Sequence, residues 1–201
     1  GVTLACLWAG EDASAASYRR GLAKACEAAG VRFLERGLAP AADFLRELDR
    51  LNRDAAVSGI LVQTPLPPGL DPDRLAAALD PAKDVEGITP AGLGRFFKGD
   101  AERAPATARA ALALVQASGV DLRGAEAVVI GKSGIVGKPA ALLLVEAHAT
   151  VTVCRRATRD LAAHTRRADV LVAAAGSPGL VRGDMLKPGA VVVDVGVNAV
   201  S

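Results

Sequence analysis

The feature that most constrains the fold is a set of short, uninterrupted apolar runs separated by helix-like segments. Three of these runs lie in the second half of the chain: Val128-Val129-Ile130, Val170-Leu171-Val172 and Val191-Val192-Val193. None alternates apolar with polar residues, so each predicts a strand that is buried on both faces, as in a parallel sheet covered by helices. Strands that alternate with helices along a chain indicate an α/β architecture.

The alternation predicts two α/β lobes. The predicted strands are Thr3–Trp8, Val31–Leu38, Gly59–Gln63, Ala125–Ile130, Ala149–Cys154, Val170–Ala175 and Ala190–Val195. The predicted helices are Ser14–Ala29, Ala41–Asn52, Asp71–Leu79, Thr107–Ser118, Lys138–Ala147 and Thr158–Arg167. Ser14 and Asp71 are candidate N-caps and Gly30 a candidate C′ residue. The proline- and glycine-rich stretch Asp80–Ala104 predicts a loop, so we expect one domain over 1–104 and another over 105–201.

Composition limits the classes of function. The 201 residues include 24 Lys+Arg and 22 Asp+Glu, and this balance gives no reason to expect a nucleic-acid binder. No apolar run approaches the ~18–20 residues that a membrane span needs. Three scattered cysteines without a C-x-x-C pair, together with two histidines, favour reduced thiols in a cytoplasmic protein and no metal site.

A turn containing glycines follows the strand Ala125–Ile130. The chain from Ala125 to Pro139 reads AEAVVIGKSGIVGKP and leads directly into a helix. A turn in this place can offer backbone N–H groups and a helix N-terminus to a pyrophosphate. The motif differs from G-x-G-x-x-G at Ser133 and Val136, and taken alone it is equally consistent with a purely structural turn.

Two arginines follow the next predicted strand. Arg155 and Arg156 come directly after Cys154, at the point where enzymes that use NAD carry an acidic residue for the ribose. Arginine at this point accommodates the 2′-phosphate of NADP, and Lys132 in the turn adds to the positive charge. The alternative is that both arginines are solvated loop charges.

Four collinear motifs resemble the bifunctional methylenetetrahydrofolate dehydrogenase/methenyltetrahydrofolate cyclohydrolase family. They are GILVQTPLP from Gly59, PAKDVEG from Pro81, VVIGKSGIVGKP running into ATVTVCRRAT, and GAVVVDVGVN from Gly189. The resemblance implies an N-terminal βαβ folate-side domain and a C-terminal Rossmann-like domain that binds NADP. It also implies oxidation of 5,10-methylenetetrahydrofolate to the methenyl form, hydrolysis to 10-formyltetrahydrofolate, a role in one-carbon metabolism and a cytoplasmic homodimer.

The resemblance assigns site residues position by position. Tyr18 and Gln63 match the family's catalytic and substrate-binding tyrosine and glutamine, and Glu86 stands where the family has an aspartate that binds the pterin. The residues that match the NADP-binding positions are Gly131, Lys132, Ser133, Gly134, Ile135, Val136, Gly137, Arg155, Arg156 and Gly176. A tetrahydrofolate derivative is the implied partner, and neither a metal, a nucleic acid nor a membrane is implied.

The chain departs from the family pattern mainly on the folate side. Leu22 stands at the position of the family's active-site lysine, Lys24 lies about 200° further round the helix, and Ala106 and Ala108 replace a cysteine and a proline. The cyclohydrolase step is therefore in doubt, and a non-catalytic paralogue that binds nucleotide or folate is the alternative. A third possibility, an amino-acid or shikimate dehydrogenase of the same architecture, conflicts with the motif at Gly59.

The resemblance also bears on the ends of the sequence. The family pattern places a further helix before Gly1 and a segment with a Pro-Gly-Gly-Val-Gly-Pro loop after Ser201. We expect either a cut chain or a trimmed paralogue.

Overall fold

The chain folds into two compact α/β units. The computed structural model describes residues 1–10, 13–38 and 41–196, with the side chain of Ser14 excepted. The units comprise Gly1–Leu93 and Gly94–Ser201. Each described sheet is wholly parallel, which confirms the architecture expected from the apolar runs.

The first unit is a three-stranded sheet with helices between its strands. Its strands are β1 (Thr3–Trp8), β2 (Arg32–Gly37) and β3 (Gly59–Val62). Its helices are α1 (Ala13–Ala28), α2 (Ala41–Arg53) and α3 (Pro72–Ala78). The strand order is β2-β1-β3, so β1 is central. The core forms where Phe44, Leu48 and Leu51 of α2 pack with buried residues of β1 and β3.

Helix ends in this unit follow the sequence signals, with one exception. Gly30 has a φ of +67°, and the N–H groups of Gly30 and Val31 bond to Glu27 and Cys26, which is a Schellman ending. Asp71 caps α3 through the N–H of Asp73. The predicted cap at Ser14 is wrong, because α1 already includes Ala13.

The second unit is a four-stranded sheet of order β5-β4-β6-β7. Its strands are β4 (Glu126–Ile130), β5 (Thr150–Cys154), β6 (Val170–Ala173) and β7 (Val191–Asp194). Its helices are α5 (Ala106–Ala117), α6 (Gly137–Glu146) and α7 (Leu161–Thr165). Buried residues of β4 and β6 pack with α5 and α6 in its core. The predicted family motif that begins at Gly189 extends to Asn198, beyond the described residues.

Two predicted segments differ from the structure. Asp80–Ala104 is not only a loop, since it contains helix α4 (Pro90–Phe97) and a short 3-10 turn. Pro90 occupies the first position of α4, and Thr89 accepts a hydrogen bond from the N–H of Gly92, so proline here starts a helix. The predicted helix Thr158–Arg167 is shorter than expected, because Thr158 instead accepts a bond from the N–H of Arg155.

The structure gives two further findings that bear on function. Among residues 1–10, 13–38 and 41–196, none of the helices is both long and apolar enough to span a membrane. The three cysteines are buried free thiols.

Candidate active site and cofactor site

In each sheet the candidate residues gather at the carboxyl ends of the strands. In the first unit β1 lies between β2 and β3, and in the second unit β4 lies between β5 and β6. The connections β1→β2 and β2→β3 therefore run in opposite directions across the first sheet, and β4→β5 and β5→β6 do so across the second. Such a reversal of strand order creates a crevice where ligands of open α/β sheets bind. Gln63 directly follows β3, and Gly131 directly follows β4.

The turn after β4 brings its backbone so close to neighbouring backbone atoms that only glycine fits at two of its positions. Gly131 has a φ of +132°, and a Cβ there would lie 2.6 Å from the carbonyl oxygen of Ala174, which follows β6. At Gly137 a Cβ would overlap the carbonyl oxygen of Gly131. The turn is thus folded tightly against the end of β6 and the start of α6. A cradle that excludes side chains at both glycines fits the diphosphate of a dinucleotide.

Ser133 holds the turn in shape from inside. Its Oγ accepts hydrogen bonds from the N–H groups of Val136 and Gly137, at 3.1 and 3.2 Å. These two groups at the start of α6 are therefore capped by the chain itself. The stretch from Lys132 to Ile135 is exposed, and a Cβ on Gly134 would meet no atom within 4 Å. The outward side of the turn is the part open to a ligand.

The ends of the neighbouring strands supply the other predicted cofactor positions. Arg155 and Arg156 follow β5 in an exposed turn closed by Thr158. Neither guanidinium has an ion-pair or hydrogen-bond partner among the described residues. Gly176 follows β6 with a φ of +58° and is exposed. Unpaired arginines beside a nucleotide turn are suited to a phosphate, because guanidinium groups bind phosphate oxygens in a bidentate manner.

The amide of Gln63 is held by helix α1. Its Oε1 accepts a hydrogen bond of 2.9 Å from Arg19, and its Nε2 donates one of 2.8 Å to the carbonyl of Ala15. Gln63 is only 8% exposed, so these bonds set the direction of a nearly buried amide. The location of Gln63 at a strand end agrees with the sequence analysis.

Arg19 is the functional candidate that the sequence analysis missed. Its guanidinium carbon lies 3.8 Å from the centroid of the Trp8 ring, and its Nε lies 3.5 Å from a carboxylate oxygen of Glu35. The indole in turn lies against Gly37, where a Cβ would overlap the ring. The available signal was weak: Arg19 shares a helical face with Ala15 and Cys26, where a charged residue is out of place.

Glu86 and Tyr18 form the more open part of the site. Burial raises the pKa of Glu86 to about 7, with Asp84 adding to the rise and a hydrogen bond from the backbone of Val62 opposing it. Tyr18 is 54% exposed, and its pKa is raised first by partial burial and then by the charges of Glu86 and Cys6. Together they suit an aromatic ligand that carries N–H groups. The exposed phenol ring can pack on the aromatic part, and the carboxyl, which gains or loses a proton around neutral pH, can accept hydrogen bonds from the N–H groups.

The positions where the chain departs from the family pattern are ordinary packing sites. Leu22 is partly buried on α1, and Lys24 is exposed, as expected for a residue that faces another way. Ala106 begins α5, and Ala108 is fully buried in the core of the second unit. Within the described residues, no group of three or more His, Cys, Asp or Glu side chains is placed to hold a metal ion.

Two parallel α/β units, one of them with a glycine-lined turn at its switch point, define the class of dinucleotide-binding α/β proteins. The family "Tetrahydrofolate dehydrogenase/cyclohydrolase, catalytic domain" matches residues 1–86, and "Tetrahydrofolate dehydrogenase/cyclohydrolase, NAD(P)-binding domain" matches residues 105–201. The chain belongs to the tetrahydrofolate dehydrogenase/cyclohydrolase family, which confirms the family that the four motifs predicted.

Relatives of this chain carry names from the same family. The bifunctional protein FolD of Bordetella avium is 49% identical over 199 residues, which cover 97% of this chain and 70% of that protein. The crystal structure of the bifunctional FolD dehydrogenase/cyclohydrolase from Campylobacter jejuni matches with a TM-score of 0.93 and 40% identity, over 98% of this chain and 71% of that one. The Trypanosoma brucei FolD, solved with NADP cofactor and an inhibitor, matches with a TM-score of 0.93 and 37% identity, over 100% of this chain and 70% of that one.

Proposed function

We propose that this chain catalyses the NADP-dependent oxidation of 5,10-methylenetetrahydrofolate to 5,10-methenyltetrahydrofolate, within one-carbon metabolism. The observation that carries the proposal is the cradle at Gly131 and Gly137, next to Arg155 and Arg156, which have no ion-pair or hydrogen-bond partner in the part of the chain that the structure describes. A turn that excludes side chains at these two glycines, beside two arginines that have no partner among the described residues, is suited to the diphosphate and 2′-phosphate of NADP. Membership of the family and relatives named for this reaction support the substrate.

Different residues would hold different parts of NADP. The exposed outward side of the turn from Gly131 to Gly137 would hold the diphosphate, Arg155 and Arg156 would hold the 2′-phosphate, and Gly176 would allow close approach beside the end of β6. Lys132 in the turn adds a further positive charge. The nicotinamide supplies the hydride acceptor when the cofactor is bound.

The folate residues orient the substrate. Tyr18 offers an exposed ring on which the pterin and its substituent can pack. Gln63 presents its remaining amide N–H and its second oxygen lone pair to the ligand, because its other bonds are taken by Arg19 and Ala15. Glu86 accepts hydrogen bonds from the pterin amino group in its ionised form. These contacts fix the methylene carbon in one orientation, which is the main requirement for hydride transfer.

The second, hydrolytic step makes a different demand. Water must add to the methenyl carbon and lose a proton, and the bond from that carbon to N5 must then break while N5 takes up a proton. Both proton transfers call for a group that changes its protonation state near neutral pH. Leu22, an apolar residue, stands at the lysine position and cannot supply such a group. Glu86 is the described side chain at this site whose pKa lies near 7. We infer that the chain carries out the oxidation and that its cyclohydrolase step is weak and dependent on Glu86.

The domain division, oligomeric state and location are also proposals. The matched ranges 1–86 and 105–201 support a folate-side domain over 1–104 and an NADP-binding domain over 105–201. The resemblance supports a cytoplasmic homodimer. Light scattering coupled to size exclusion tests the dimer, since a single species of one-chain mass would contradict it. The departures at Leu22, Ala106 and Ala108 are what favours a non-catalytic paralogue. The relatives, which are named as bifunctional enzymes, favour the enzyme instead.

Transfer of an isotopic label tests the reaction. The enzyme is incubated with NADP and methylenetetrahydrofolate deuterated at the bridging methylene, and the nicotinamide product is analysed by mass spectrometry. We expect deuterium in the reduced cofactor and methenyltetrahydrofolate as the folate product. Reduced cofactor without label, or no reduction by a folded enzyme that binds NADP, would overturn the proposal.

A further inference from the structure

Arg19 is a buried cation with a partner on each of three elements. It is 8% exposed and contacts Gln63 after β3, Trp8 on β1 and Glu35 on β2. A buried guanidinium is costly unless its donors and its charge are satisfied. Here a neutral amide, an aromatic face and a carboxylate do so together, and the carboxylate of Glu35 remains about half exposed. The arrangement holds the arginine in one place at the carboxyl edge of the sheet.

These contacts determine which way the Gln63 amide points. Arginine can only donate hydrogen bonds, and the carbonyl of Ala15 can only accept them. The atom facing Arg19 must therefore be the amide oxygen, and the atom facing Ala15 must be the amide nitrogen. A rotation of the amide by 180° would set two donors against each other and two acceptors against each other. Gln63 consequently shows a ligand one defined donor and one defined acceptor.

Arg19 lies on the same side of α1 as the position that lost its lysine. Arg19 and Leu22 are three residues apart, so they are neighbours on one helical face, whereas Lys24 is exposed on another. The guanidinium of Arg19, about one turn before Leu22, donates a hydrogen bond to the amide of Gln63. The pattern of the helix thus preserves a positive charge beside Gln63 although the expected residue is absent.

We propose that Arg19 is the positioning residue of the folate site, which locks the Gln63 amide in the orientation that binds substrate. This inference rests on the proposed function, since it concerns the same site. Arg19 acts through Gln63, so loss of either side chain removes the same interaction. The energetic effects of the two substitutions are therefore not additive.

Four variants and one control test the inference. The variants are Arg19→Met, Arg19→Lys, Gln63→Met and the double variant Arg19→Met/Gln63→Met. The control is Arg20→Met, the exposed neighbour on the same helix. The measurements are kcat/KM for methylenetetrahydrofolate, the Kd for tetrahydrofolate by calorimetry, and the Kd for NADP, which reports on the folding of the other unit.

We expect Arg19→Met to lower kcat/KM about 10- to 100-fold, the range for losing a hydrogen bond to a charged group. Arg19→Lys keeps a positively charged donor group, although without the planar guanidinium, and should recover part of this loss. Arg20→Met should stay within about 2-fold of the wild type, and the NADP Kd should not change in any variant. In the Gln63→Met background, Arg19→Met should cause little further loss. Equal activity of Arg19→Met and the wild type, or fully additive effects of the two substitutions, would overturn the inference.

The remaining outcomes also either support or overturn the inference. If Arg19→Met fails to fold, Arg19→Lys paired with Gln63→Met gives the same test of additivity. If the wild type has no dehydrogenase activity, the proposed function fails, and the Kd for tetrahydrofolate then tests the role of Arg19 independently of turnover. Weaker tetrahydrofolate binding in Arg19→Met but not in Arg20→Met would support the positioning role. Unchanged binding, or no binding by the wild type, would overturn it.

Discussion

Glu86 gives the sharpest prediction about pH. Its pKa is raised from an ordinary 4.5 to about 7, chiefly by burial, so the folded protein takes up a proton at a higher pH than the unfolded chain does. The contribution of Glu86 to the free energy of unfolding therefore rises as the pH falls through 7. This rise ends near pH 4.5, where the unfolded chain is protonated as well. Linkage gives a gain of about 2.5 kcal/mol between about pH 8 and about pH 5 from this one group.

The assay compares the wild type with Glu86→Gln, which keeps the shape of the side chain and cannot ionise. Urea unfolding is followed by fluorescence of Trp8, the single tryptophan of the chain, which reports on the first unit. The wild type should gain about 2.5 kcal/mol relative to Glu86→Gln between about pH 8 and about pH 5. The control Glu27→Gln changes an exposed glutamate of α1 and should follow the wild type. Parallel pH curves for the wild type and Glu86→Gln would refute the reasoning.

Three other predictions concern the cofactor turn, cofactor choice and the missing lysine. Gly137→Ala places a Cβ on a backbone oxygen, so it should cost roughly 1–3 kcal/mol of stability and weaken NADP binding. The control Gly134→Ala adds a Cβ in open space and should have neither effect. Equal effects of the two variants on NADP binding in a calorimetric titration would argue against the cradle. Replacing Arg155 and Arg156 by serine should raise the NADP Kd at least about 10-fold and leave the NAD Kd unchanged, and an equal change for both cofactors would contradict a 2′-phosphate role. Leu22→Lys should raise the rate of methenyltetrahydrofolate hydrolysis about 100-fold, the low end of general acid–base effects. No rise, with binding intact, would mean that the lysine was not the missing group.

The sheets and the cofactor turn were predictable because their causes are local. A buried parallel strand is apolar at successive positions, as at Val128 to Ile130, and the structure places this run in the central strand β4. The spacing of Gly131 and Gly137 likewise reflects a close approach within one short segment. Patterns that arise over a few residues can be read without knowing the rest of the fold.

Helix α4 and the role of Arg19 were not predictable. In the first case local sequence signals oppose each other, and in the second the cause lies in a distant part of the chain. Helix α4 carries Gly92 and Gly94, which lower helix propensity, so the composition indicated a loop although Thr89 and Pro90 begin a helix. The role of Arg19 depends on Gln63, which is 44 positions away in sequence. Nothing in the spacing of α1 indicates that partner, because the contact exists only once the sheet brings the end of β3 beside the helix.

Steady-state oxidation of 5,10-methylenetetrahydrofolate by the wild-type chain, with NADP and NAD as alternative cofactors, tests the central claim most directly. The account predicts formation of reduced cofactor in proportion to enzyme concentration, with kcat/KM higher for NADP than for NAD. Absence of turnover at high concentration of a folded protein that binds both NADP and tetrahydrofolate would contradict it. A preference for NAD would contradict the role given to Arg155 and Arg156.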